Sequence, residues 1–107
     1  MANSYKNAKK DLTSTDATVV LTATSATTCI IKSILVSEDS GNADTITVTI
    51  TDSASAVFSL FRVKAVAANT TVELLTQPLV LAESEILTAT AATANRLHVV
   101  ASYLEIS

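Results

Sequence analysis

Thr45-Ile46-Thr47-Val48-Thr49-Ile50-Thr51 alternates strictly between branched apolar and hydroxyl side chains. Successive residues of an extended chain point to opposite faces, so Ile46, Val48 and Ile50 share one face. Thr45, Thr47, Thr49 and Thr51 share the other. The pattern predicts a strand with a buried side and a wet or contact-forming side. Upstream lies Glu38-Asp39-Ser40-Gly41-Asn42-Ala43-Asp44, which holds the only glycine of the chain, and a positive φ is expected there. Before it, Thr28-Cys29-Ile30-Ile31-Lys32-Ser33-Ile34-Leu35-Val36-Ser37 reads as a second strand. The two are expected to pair antiparallel as a hairpin around that acidic turn.

Working outward, further short strands follow. Ala17–Ala23 reads as an early one, and Ala56–Arg62 carries both phenylalanines. Thr70–Leu75, Leu79–Leu81 and Ile86–Thr90 are separated by Asn69, Gln77-Pro78 and Glu83-Ser84-Glu85. Arg96–Ile106 is apolar on both faces for much of its length, which suits a strand held between two partners. About a third of the chain is Val, Ile or Thr, residues that favour a pleated backbone. The alanines sit among Thr and Ser, whose hydroxyls compete for the backbone and weaken helix. Seven or eight strands at this spacing predict an all-β chain: one antiparallel β-sandwich or jelly-roll-like domain over residues 17–107. Residues 1–16 differ. They are polar, have little to bury and are expected to form an extended N-terminal arm that lies on a neighbouring subunit.

Composition excludes much chemistry. Charged residues are only 16% of the chain, against about 25% in an average soluble domain. A small protein has a large surface, and Thr and Ser rather than ions cover this one. Such a surface suits close packing against neighbours. The net charge of −3 argues against nucleic acid and anionic membrane as partners. No stretch is long and apolar enough for a membrane span, and Met1-Ala2-Asn3-Ser4-Tyr5-Lys6 does not read as a secretion signal. One glycine cannot build a G-x-S-x-G nucleophile turn. One cysteine and one histidine cannot make a four-ligand zinc site within the chain. Cys29 is expected as a buried, inert thiol of a protein made in a reducing compartment, and His98 as a satisfied sheet or interface histidine. The acidic turn at 38–44 lacks the alternating ligands of an EF-hand calcium loop. Glu83 and Glu85 alternate around Ser84, but four aromatic residues hardly build a sugar cleft for paired carboxylates. Lys6, Lys9 and Lys10 are too few and too local to read DNA. No enzyme activity and no cofactor are expected.

From about residue 30 onward the chain resembles small virion structural proteins of tailed bacteriophages, especially those infecting marine cyanobacteria. The phrases that carry the resemblance are Lys32–Val36, the threonine strand, Val66-Ala67-Ala68-Asn69-Thr70-Thr71-Val72-Glu73-Leu74-Leu75, Pro78–Leu81 with Glu83–Leu87, and above all Leu97–Ile106. These are core and turn phrases without a catalytic signature, and Met1–Cys29 is not covered. The resemblance implies a β-sandwich assembled in the host cytoplasm and carried in many copies on the virion. A capsid decoration or cement protein is expected, bridging neighbouring subunits of the major capsid protein or of other virion proteins, and touching copies of itself. The alternatives are a neck, tail or fibre-associated position, or a small carbohydrate- or ligand-binding module. The residues expected to meet neighbours are Tyr5, Lys6, Lys9 and Lys10 of the arm, and Thr45, Thr47, Thr49 and Thr51 of the alternating strand.

Overall fold

A computed structural model describes residues 3–107, and among them every regular element is a strand. In chain order these are β1 (Asn3–Leu12), β2 (Thr18–Thr22), β3 (Thr28–Glu38), β4 (Asp44–Thr51), β5 (Val57–Val66), β6 (Thr71–Glu73), β7 (Leu79–Leu81), β8 (Ile86–Ala91) and β9 (Leu97–Ile106). They form two antiparallel sheets stacked as a β-sandwich. One has the order β1-β9-β3-β6, with β7 also on β3, and the other runs β2-β8-β4-β5. The all-β expectation holds, with nine strands where seven or eight are expected.

Alternation explains the core. In β4, Asp44, Ile46, Val48 and Ile50 are buried while the threonines between them are half-buried. β8 repeats the pattern with Leu87, Ala89 and Ala91 inward, and β9 with Leu97, Val99, Ala101 and Tyr103. As expected of a strand apolar on both faces, β9 lies between two partners, β1 and β3. In β3 the register against β9 slips between Ile31 and Ser33. This bulge resets the parity, so Cys29, Ile31, Ile34 and Val36 all reach the core although they do not follow one alternation.

The same bulge places Glu38 on the inward side, where it is 1% exposed. Here the expected hairpin fails. β3 and β4 belong to different sheets, and the segment between them arches from one layer to the other. Apart from Glu38 and Asp44 at their ends, both strands have an apolar inner face, and placing those faces opposite each other buries both. Pairing them edge to edge would not. Among the described residues the one hairpin of adjacent strands is β4–β5, closed by a turn at Asp52–Ala56 in which Asp52 N–H donates to Ala56 O at 2.9 Å. Gly41 does adopt the expected positive φ, 85°.

The N-terminal segment also differs from expectation. Asn3–Leu12 is not apart from the sandwich but pairs along its whole length with β9, from Asn3 opposite Ile106 to Leu12 opposite Leu97. Its side chains bury little: Leu12 is fully enclosed, Ala8 packs on the core, and most of the rest is exposed. The backbone ladder holds it, which is why its polar sequence does not announce a strand. Met1 and Ala2 of the expected arm lie outside the described residues.

Candidate functional site

The eight residues expected to meet neighbours fall into two separate groups. Tyr5, Lys6, Lys9 and Lys10 are exposed on β1, an edge of the five-stranded sheet, with Tyr5 79% exposed. Lys6 Nζ lies 3.0 Å from Glu105 Oε1 on β9, and that carboxylate raises the lysine above its ordinary range. Lys9 and Lys10 border a shallow depression of about 430 Å³ shared with Asp11, His98, Val99 and Val100. Thr45, Thr47, Thr49 and Thr51 line the outer face of β4, an interior strand of the other sheet. Thr47 stands opposite Thr90 and Thr49 opposite Thr88 on β8, which widens the row into a neutral hydroxyl face. Thr47 Oγ1 accepts a hydrogen bond from Val63 N–H at 3.1 Å, so one hydroxyl also serves the fold. The structure does not join the two groups.

The single histidine and cysteine are in ordinary structural settings. His98, on the outer face of β9, has Nε2 3.2 Å from Asp11 Oδ1 and Nδ1 3.7 Å from Asp39 Oδ2, an exposed cluster worth little to stability. Cys29 is fully buried, and burial pushes its thiol up, away from the reactive thiolate. The acidic loop 38–44 is organised by one carboxylate. Glu38 Oε2 accepts from Ser40 N–H at 2.8 Å and from the Ser40 hydroxyl. Its Oε1 accepts from Gly41 N–H and Asn69 N–H, each at 3.1 Å. Asp44, also buried, accepts from Thr93 N–H at 3.0 Å. These carboxylates are committed to backbone donors. Among the described residues no group of three or more His, Cys, Asp or Glu is placed to hold a metal ion.

What the sequence reading missed is the edge position of β5, a strand it places at Ala56–Arg62. It forms the far edge of the four-stranded sheet, and two register shifts against β4 leave bulges near Leu60 and Arg62–Val63. Phe58 and Phe61 stand opposite Ile50 and Val48, so they share the inward face with two core residues. Yet Phe58 is 55% exposed, and Val57, Leu60 and Val63 are exposed with it. Edge position and the two bulges explain this. The neighbouring edge of the other sheet consists of β6 and β7, three residues each, and the chain between them leaves an open groove of about 460 Å³. Phe61, Lys64, Leu74, Leu75 and Leu79 line that groove. Among the described residues, all the large exposed apolar side chains except Leu35 lie on edge strands: Tyr5 on β1, Val19 on β2, four on β5 and Val80 on β7. The apolar run Val57-Phe58-Ser59-Leu60-Phe61 marks a strand, but nothing in it marks an edge. No family model matches the chain, and no curated protein sequence matches it.

Proposed function

We propose that this protein is a non-enzymatic structural subunit of a phage virion, of the capsid decoration type, which stabilises a shell by adding contact area between neighbouring subunits. The observation that supports the reading best is the placement of uncovered apolar side chains along the strand edges of a sandwich poor in charge. Specific interfaces concentrate aromatic and aliphatic groups and deplete charge at their centres. Here Val57, Phe58, Leu60 and Val63 supply the first, and the neutral threonine face of β4 and β8 supplies the second. The carbohydrate-binding alternative wants aromatic rings side by side. Of the exposed rings, Tyr5 lies on β1 beside the β2 edge and Phe58 on β5 at the opposite edge, while Phe61 beside Phe58 is packed against the core.

The phage-specific part of the reading rests on the sequence resemblance. Its test is the stoichiometry of this chain in purified particles of the phage that encodes it, measured by quantitative mass spectrometry. Hundreds of copies per particle are expected for a head protein. Six, twelve or eighteen copies would move it to the neck or tail, and absence from the particle would overturn the virion reading.

A further inference from the structure

Each sheet is four strand positions wide, and every pairing within it is antiparallel. The first and last positions of each sheet therefore run in opposite directions. β1 and β2 lie together on one side of the sandwich, where they pack on each other. β5 and the β6–β7 edge lie together on the other, around the open groove. Two copies set side by side in the same orientation bring β5 of one next to β2 of the other, antiparallel. They also bring the β6–β7 edge next to β1, again antiparallel. Both sheets continue across one junction.

We infer that this chain self-associates head to tail, the β5/β7 side of one copy against the β1/β2 side of the next. The inference deepens the assembly reading above and rests on it only for the expectation that copies meet. Two features choose this contact over a two-fold one. First, the apolar side chains are divided between both sides, with Val57, Phe58, Leu60, Val63 and Val80 on one and Tyr5 and Val19 on the other. A two-fold contact through β5 would leave the second set unused. Second, β5 carries Arg62 and Lys64 with no acidic residue, and β1 carries Lys6, Lys9 and Lys10 against one Asp11. Pairing either strand with itself puts like charges on one seam, which destabilises a ladder. Head to tail, β5 meets the uncharged β2, and β1 meets β6 and β7, which carry no lysine or arginine, so neither seam pairs like charges. A contact between two different surfaces continues until it closes into a ring or extends as a fibre.

The experiment uses the full chain alone in solution, by sedimentation velocity at concentrations from micromolar to several hundred micromolar. Oligomers larger than a dimer are expected to grow with concentration. Phe58→Lys on one side and Val19→Lys on the other are each expected to weaken association at least tenfold. Mixed in equal amounts, the two variants are expected to form a dimer and nothing larger, because each retains one intact side. Val57→Lys replaces Phe58→Lys if the latter lowers the melting temperature. A wild-type chain that stays monomeric throughout would overturn the inference, as would a Val19→Lys variant that associates like wild type. Neither result touches the particle stoichiometry, which tests the virion reading by itself.

Discussion

Two acidic residues organise two loops of this sandwich in different ways. Asp52 closes the β4–β5 hairpin from within: its Oδ1 accepts from Ala54 N–H and Ala56 N–H, both at 2.9 Å, and both donors lie within four residues. Glu38 closes the β3–β4 arch from beneath, where it is fully buried. It gathers Ser40 and Gly41 from its own loop and Asn69 from the loop that links β5 to β6. The first arrangement is local and solvent-exposed. The second ties two crossings between the sheets to one carboxylate, with Gly41 in the left-handed region so that its N–H can reach inward. The longer side chain at the buried position is what lets the chain change layers without stranding its backbone donors.

Removing the two carboxylates should therefore have unequal effects. Glu38→Ala takes the shared acceptor from three backbone N–H groups that tie two loops together, and should lower the melting temperature by roughly 10 °C. Differential scanning calorimetry reads this directly. A loss no greater than that of Asp52→Ala would show that water replaces the carboxylate and that the arch does not depend on it. Protonating Glu38 is a gentler form of the same change. Burial pushes its carboxyl up, but hydrogen bonds from the Ser40 hydroxyl and from Asn69, Ser40 and Gly41 N–H outweigh it and hold the group at about 2, below the ordinary 4.5. A group whose acidity is strengthened by folding stabilises the native state above its unfolded value. That stabilisation should be complete above about pH 4.5, decline as pH falls, and be gone below about pH 2. Urea denaturation from pH 6 to pH 2 should show the decline in wild type and a flatter profile in Glu38→Gln. Asp52→Ala, at the exposed turn, should cost roughly 1 kcal/mol with the fold unchanged.

The same contrast explains what could be read from the sequence. Strand positions were legible because alternation is local: β4, β7, β8 and β9 lie within a residue or so of where periodicity puts them. Partners were not. A hairpin and an arch both need two amphipathic strands and a polar connection, and only the destination of the Glu38 side chain separates them. That destination depends on a bulge at Lys32–Ser33 that shifts parity, and no local pattern marks it. β1 was illegible for the opposite reason. Its energy of attachment lies in main-chain hydrogen bonds to β9, which leave no apolar alternation to read. Of the candidate contact surfaces, the threonine face followed from alternation. The β5 edge did not, since its exposure depends on its place at the end of the sheet and on two bulges that only its pairing with β4 reveals.

Val63 carries this reasoning to its smallest effect. It lies in β5 at φ 53°, where a β-branched residue is a conformational outlier, while its side chain is 61% exposed. Its N–H is held by Thr47 Oγ1, so the bulge is fixed by a hydrogen bond rather than by packing of the valine. The backbone conformation does not need this side chain. Val63→Asn keeps the N–H, relieves the steric conflict and should stabilise the monomer by about 1 kcal/mol, read as a higher denaturation midpoint. If the β5 edge is a contact surface, the same substitution should also weaken self-association, because it removes an exposed apolar group from the seam. A valine that costs the monomer stability and adds to the oligomer is what a strained residue retained for contact would look like. A variant that is neither more stable alone nor weaker in association would show that Val63 is merely tolerated.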